Sequence, residues 1–131
     1  MKRIVPHLRI NNCKEAVEYY QQVFGGEIKN TQLADGIEMF KGHEGKYIHA
    51  ELHMNENCIL YFADIFGHQP TIGNNIILGP DFDSEEEITK VYSELAKEGQ
   101  VKMELQETFW AVKYATVQDK YGVTWELNLS K

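Results

Sequence analysis

The sequence predicts an α+β protein made of two βαβββ modules, whose strands form a rolled mixed sheet with both helices on its outer face. Three observations support this fold class. Two segments of similar length carry apolar residues at helical spacing, and most other apolar segments alternate as β-strands do. The order strand, helix, strand, strand, strand then occurs twice along the chain. Each module therefore has a helix that can cover one face of its strands.

The first predicted helix runs from about residue 14 to residue 24. Asn11 or Asn12 can cap its first turn, and Gly25-Gly26 ends it. Its apolar stripe consists of Ala16, Val17, Tyr19, Tyr20, Val23 and Phe24. This spacing predicts one buried face along the helix.

The second predicted helix runs from about residue 84 to residue 97. Asp83 or Ser84 can cap it, three glutamates occupy its first turn, and Gly99 ends it. Its apolar stripe consists of Ile88, Val91, Tyr92 and Leu95. Four residues of the first stripe match these four at one constant offset, which indicates an internal duplication.

The remaining segments predict strands at about residues 3–10, 27–33, 46–54, 58–64, 74–79, 100–106, 111–118 and 123–129. The segment from Gly67 to Gly73, which contains Pro70, predicts the link between the two halves. We therefore expect one domain over residues 1–131, with module one at about 1–66 and module two at about 72–131.

Composition restricts the possible functions. The chain has 131 residues and a net charge of -7, which argues against a nucleic-acid or anionic-membrane surface. No apolar run approaches the roughly 20 residues of a membrane helix, and the first residues lack a signal peptide's apolar region. We therefore expect a cytoplasmic protein with reduced cysteines. The common glycine-rich nucleotide motifs are absent, which argues against a nucleotide-dependent enzyme such as a methyltransferase.

Strand alternation separates polar rows from apolar rows. The polar rows consist of His7 and Arg9 in the first strand, His49, Glu51 and His53 in the third, and Glu126 and Asn128 in the last. These rows could simply face water, as in any one-sided antiparallel sheet. Their content of histidine, arginine and carboxylate, with little lysine, favours a concave site for a small ligand or a metal ion.

The chain also resembles a known family at both ends and in its centre. The matching segments are Pro6-His7-Leu8, NCKEAVEYY at 12–20, VFGGE at 23–27, HAEL at 49–52, Phe109-Trp110-Ala111 and QDKYGVTWEL at 118–127. They resemble the PhnB-like branch of the glyoxalase/bleomycin-resistance/dioxygenase superfamily, the vicinal oxygen chelate fold. The resemblance implies paired βαβββ modules and a homodimer. It does not imply one activity, since the superfamily includes lyases, isomerases, dioxygenases and drug-sequestering proteins.

The resemblance also implies a possible divalent metal ion. Glu126 matches the position of the family's last metal ligand, and His7 lies on the strand that carries the metal histidine. Either could instead be an ordinary polar residue of a surface or pocket. Tyr61, and Asn74 or Asn75, occupy the positions where further ligands are expected, so the ligand set is incomplete. Glyoxalase I activity, which requires the full set, is not expected.

Two functions follow from these residues. The first is a small-molecule enzyme of lyase, isomerase or dioxygenase type, with His49 or Glu51 as the catalytic base. The second is a metal-free protein that binds or sequesters a planar compound. The candidate ligand-binding residues are Arg9, Tyr61, Trp110 and Tyr114. Arg9 could also pair with Glu51 or Glu126, and Trp110 could seal a dimer interface. We further expect the side chains of Glu126 and His7 to point into one concavity.

Overall fold

A computed structural model describes all 131 residues, which divide into two units, Met1–Pro70 and Thr71–Lys131. Each unit has its own helix and its own sheet. The resulting α+β architecture confirms the predicted fold class. Neither helix is long and apolar enough to span a membrane.

The first unit contains one helix and a four-stranded sheet. Its elements are β1 (His7–Arg9), α1 (Cys13–Phe24), β2 (Glu27–Leu33), a short 3-10 helix (Glu38–Phe40), β3 (Tyr47–His53) and β4 (Ile59–Ala63). The strand order is β1-β4-β3-β2, with β1 parallel to β4 and the other neighbours antiparallel. The two central strands, β3 and β4, therefore lie between β1 and β2.

Helix α1 covers one face of this sheet. Its side chains Val17, Tyr20 and Val23 are buried, as the apolar stripe predicts, and the Tyr20 ring lies 5.6 Å from the ring of Phe62 on β4. Residues next to Phe62 in the strand point the opposite way. Tyr61 and its neighbours across the sheet therefore lie on the face that α1 leaves uncovered.

The start of α1 is held differently from the prediction. Asn12 is the N-cap residue, but its backbone is left-handed (φ 55°) and its side chain makes no capping hydrogen bond. The buried carboxylate of Asp64 instead accepts hydrogen bonds from the backbone N–H of Cys13 (3.0 Å) and of Tyr47 (2.7 Å). A residue distant in sequence thus satisfies the helix terminus and joins it to β3. The end of α1 at Gly25 (φ 80°) is as predicted.

The second unit contains one helix and a three-stranded antiparallel sheet. Its elements are α2 (Glu85–Glu98), β5 (Gln100–Gln106), β6 (Ala111–Gln118) and β7 (Thr124–Ser130), in the order β5-β6-β7. Ser84 caps α2 as predicted, since its side chain accepts a hydrogen bond from the backbone N–H of Glu87. Leu95 of α2 is buried as predicted, whereas Tyr92 is half-buried.

The strand predicted at 74–79 does not form as a regular element. Two isolated parallel bridges, Leu78 to Trp125 and Asp81 to Asn128, stand in its place beside β7. Pro80 lies between them and has no N–H to donate, so the ladder loses one hydrogen bond. The sequence pattern therefore identified a segment that pairs with β7, but the segment forms two isolated bridges and not a regular strand.

Candidate functional site

The polar face of the first sheet carries a buried carboxylate between two histidines. The register pairs Glu51 of β3 with Tyr61 of β4, and Tyr61 with His7 of β1, so these side chains share one face. His49 and His53 lie two residues to either side of Glu51 on the same face. The parity predicted for this part of the first and third strands is confirmed.

Glu51 has three hydrogen-bond donors. Nε2 of His49 lies 2.7 Å from one carboxylate oxygen, and Nε2 of His53 lies 2.6 Å from the other. The latter oxygen also accepts a hydrogen bond of 3.0 Å from the side-chain amide of Asn30. Glu51 is only 8% exposed, so this carboxylate is removed from water and depends on these donors.

The protonation state of Glu51 follows from this environment. Burial alone raises the pKa of a carboxyl group, but the hydrogen bonds from His49, His53 and Asn30 outweigh burial and lower the pKa of Glu51 from 4.5 to about 2. Glu51 is therefore ionised at neutral pH and can only accept hydrogen bonds. Each histidine must then carry a proton on Nε2, which leaves Nδ1 of the neutral ring as a proton acceptor.

Other polar rings surround His49 on this face. The rings of His49 and Tyr61 are 5.0 Å apart, and the His7 ring lies 6.2 Å from each. A guanidinium nitrogen of Arg3 donates a hydrogen bond of 3.2 Å to the Tyr61 hydroxyl oxygen. Partial burial, together with the positive charge of Arg9 and the neighbouring His49, lowers the pKa of His7. His7 is therefore neutral at pH 7.

The second unit places Glu126 beside an aromatic row, which consists of Phe109, Trp110 and Tyr114. The Tyr114 hydroxyl on β6 donates a hydrogen bond to the Glu126 carboxylate on β7. Burial and this hydrogen bond raise the pKa of Tyr114, so the phenol keeps its proton. The Trp110 ring lies 5.2 Å from Tyr114 and 4.8 Å from Phe109. Phe109 is 88% exposed and Trp110 is 45% exposed, so this row is open to solvent.

Asp119 holds the turn between β6 and β7. Its buried carboxylate accepts hydrogen bonds from the backbone N–H of Tyr121 (2.8 Å) and Val123 (3.1 Å), and from the indole N–H of Trp125 (2.8 Å). Gly122 completes the turn with φ 89°, a conformation that favours glycine. The aspartate of the closing DKYG segment is thus a structural residue that fixes where β7, and Glu126 on it, begins.

The donor groups give no support for a metal centre. No group of three or more His, Cys, Asp or Glu side chains is arranged to hold a metal ion. The two histidines beside Glu51 contact different oxygens of its carboxylate, and Glu126 is engaged by Tyr114. The expectation that Glu126 and His7 are metal ligands stays a prediction. Their predicted convergence on one concavity also stays a prediction, since they belong to different units.

Sequence reasoning missed Asn30 and Arg3, and it gave no role to His53. His53 lies in the predicted polar row, and its alternation with Glu51 was the signal that could have singled it out. Asn30 has a left-handed backbone (φ 53°) at an irregularity of β2, which strand parity does not anticipate. Arg3 precedes β1 and contacts Tyr61, 58 residues away in sequence. Only the tertiary fold brings such partners together.

The fold and the residues of both units define the family to which the chain belongs. The chain is a member of the Glyoxalase/Bleomycin resistance protein/Dioxygenase superfamily, whose family model matches residues 2–127. This confirms the resemblance found in the sequence.

Individual relatives agree with this assignment. Protein PA1353 from Pseudomonas aeruginosa is 30% identical, with a TM-score of 0.87 and coverage of 99% of this chain and 98% of that chain. The PhnB protein from Bacillus cereus is also 30% identical, with a TM-score of 0.83 and coverage of 98% and 100%. Protein YjdN from Escherichia coli K12 is 27% identical over 92% of this chain and 89% of its own length. The chain thus has PhnB-like neighbours, while a homodimer stays a prediction.

Proposed function

We propose that this protein is a small-molecule enzyme that transfers a proton on a substrate with vicinal oxygens, with His49 as the general base. The observation that carries this proposal is the contact of His49 Nε2 with the buried, ionised Glu51. A carboxylate in this position fixes the imidazole tautomer and stabilises the imidazolium that forms when the ring takes up a proton. His49 is half-buried, so its ring remains accessible to a small ligand.

The reaction begins at a C–H bond next to a carbonyl group. Nδ1 of His49 takes the proton, and the electron pair of the C–H bond moves into the carbonyl group to give an enolate. The Tyr61 hydroxyl accepts a hydrogen bond from Arg3 and keeps its own proton available for the enolate oxygen. In an isomerase, the proton then returns to the neighbouring carbon, while the hydroxyl group of the first carbon becomes a carbonyl group and its proton passes to the former carbonyl oxygen. In a lyase, the enolate instead expels a leaving group from the carbon next to it.

The experiment is solvent deuterium exchange followed by proton NMR. Dihydroxyacetone and hydroxypyruvate serve as probes, because both carry C–H bonds next to a carbonyl group. The wild-type protein in D2O should replace these protons faster than buffer does, and His49→Gln should reduce exchange to the buffer rate. His68→Gln, which changes an exposed loop histidine of the same unit, is the matched control and should exchange like the wild type.

Two outcomes would contradict this function. One is wild-type protein that does not accelerate exchange of either probe. The other is a His49→Gln variant that retains the wild-type rate. A parallel sample treated with a chelator tests the predicted metal ion, since loss of exchange on chelation and its recovery with one added divalent metal would support metal ligation.

The aromatic row of the second unit supports a second candidate function, the binding of a planar compound. The row consists of Phe109, Trp110 and Tyr114, with the Glu126 carboxylate hydrogen-bonded to Tyr114. Exposed aromatic faces bind planar rings, and the nearby carboxylate adds attraction for a positive charge. We therefore propose that any compound sequestered at this row is planar and cationic.

Tryptophan fluorescence tests this binding directly. Trp110 is exposed and Trp125 is buried, so a ligand at the aromatic row should quench mainly Trp110. We expect a cationic acridine dye to bind, and Glu126→Gln to weaken its affinity roughly fivefold to tenfold through loss of the charge attraction. Met39→Ala, at an exposed apolar residue of the other unit, is the control. Equal affinity of the wild type for an anionic dye would argue against this candidate.

A further inference from the structure

Arg9 has no acidic partner on the polar face of the first sheet. Its side chain makes no hydrogen bond or ion pair, and its charge acts on the neighbouring His7. Glu51 already accepts three hydrogen bonds, and Glu27 pairs with Lys29 on the far strand β2. The alternative expected from the sequence, in which Arg9 pairs with Glu51, is therefore not realised. A guanidinium with no counter-ion, on the face that carries a candidate catalytic base, is available to a ligand.

The register places Arg9 on the same cross-strand line as His49. Arg9 pairs with Ala63 of β4, and Ala50 of β3 pairs with Phe62. One further step of this antiparallel register sets Ala63 opposite His49. Arg9 and His49 therefore flank Ala63 on the same face, separated by two strand spacings, roughly 10 Å between backbones. The only side chain that projects between them from β4 is the buried methyl group of Ala63, so no larger side chain of β4 separates Arg9 from His49.

Besides the acceptor Glu51, two further hydrogen-bond donors lie near this line. Arg3 donates to Tyr61 and retains further N–H groups for a ligand. His7 lies on the same strand face as Arg9 and next to Tyr61. The chain as a whole has a net charge of -7, so this set of donors is a local exception to an acidic protein. On this face the two positive charges of Arg3 and Arg9 exceed the single negative charge of Glu51, and such an excess favours anionic ligands.

We propose that Arg9 is the anion-recognition residue of this site, so that the substrate is a small carbonyl compound bearing a carboxylate or a phosphoryl group. Because the planar guanidinium can donate two parallel hydrogen bonds, it suits either anion. The anion bound at Arg9 directs the carbon to be deprotonated toward His49. The role of the bound anion in the reaction rests on the proposed proton transfer. Binding of the anion at Arg9 does not depend on that reaction.

The test compares one neutral probe with two anionic probes of the same carbon skeleton. Dihydroxyacetone, hydroxypyruvate and dihydroxyacetone phosphate are titrated into wild-type protein, and the histidine ring resonances report binding. The anionic probes should bind at least roughly tenfold more tightly than dihydroxyacetone. Arg9→Gln should remove that difference, and Arg9→Lys should retain part of it. The two anionic probes together show whether the carboxylate or the phosphoryl group is preferred.

Lys14→Gln is the matched control, because it removes one positive charge from the exposed side of α1, on the other face of the sheet. It should bind all three probes like the wild type. Unchanged anion affinity in Arg9→Gln would overturn the proposal, as would equal losses in Arg9→Gln and Lys14→Gln. Arg9-dependent binding without deuterium exchange would support the anion site and contradict only the proposed proton transfer. Exchange that is independent of Arg9 and of probe charge would contradict only the anion site.

Discussion

Replacement of Glu51 by glutamine is expected to lower the free energy of unfolding by about 2 kcal/mol. The glutamine amide can accept a hydrogen bond from one histidine, but its NH2 group faces the Nε2–H of the other. One ring must then change tautomer or lose its partner. Urea denaturation at pH 7 measures the loss. Glu56→Gln, in the exposed loop between β3 and β4, is the control and should stay within about 0.5 kcal/mol of the wild type.

The same substitution should change the pH dependence of stability. The pKa of Glu51 in the folded protein is about 2, below its ordinary value of 4.5, so folding favours the ionised form. The contribution of Glu51 is complete above pH 4.5 and is lost as the pH falls toward 2. The stabilities of wild type and Glu51→Gln should therefore differ at pH 7 and approach each other over this interval. A difference independent of pH would show that Glu51 is not held ionised by its neighbours.

The substitution should also affect proton transfer. Without the carboxylate, His49 loses the partner that fixes its tautomer and stabilises its protonated form. We expect deuterium exchange to fall by roughly a thousandfold or more, as for carboxylates that orient a catalytic imidazole. A Glu51→Gln protein that is less stable but exchanges normally would assign Glu51 a structural role alone.

Replacement of Asp119 by alanine is expected to cost about 4 kcal/mol, the largest loss of stability that we predict. The change removes a buried acceptor from two backbone N–H groups and from the indole of Trp125. These donors lie in the turn that starts β7, where water can replace the carboxylate only in part. Asp119→Asn should cost about 2 kcal/mol, since the amide oxygen keeps part of the set.

Urea denaturation and Trp125 fluorescence measure this effect. Asp83→Ala, at an exposed aspartate of the same unit, is the control and should cost less than about 0.5 kcal/mol. An Asp119→Ala protein within about 1 kcal/mol of the wild type would show that the turn is set by Gly122 and the strand pairing alone. It would also remove the structural explanation for the aspartate of the DKYG segment.

Sequence patterns predicted much of the fold, because neighbouring residues decide where helices begin and end and which way strand side chains face. Apolar spacing identified both helices, and Ser84 and the glycines marked helix ends, since caps depend on neighbouring residues. Strand alternation placed His7, His49 and Glu51 on the polar side, because successive strand residues must face opposite ways. The family resemblance was likewise carried by short segments near the two ends and in the centre.

The sequence by itself determined the family, the α+β class and the polar rows of the strands. Only the tertiary structure decided which members of those rows act together. Glu51 could have been a solvated carboxylate, but cross-strand packing buries it and brings Asn30 to it. Asp64 caps a helix that begins 51 residues earlier, and Arg9 lies beside Ala63 rather than an acidic residue. Such contacts depend on strand register and on which strands become neighbours. Both are decided by many weak contacts across the fold, and neither leaves a periodic signal in the sequence.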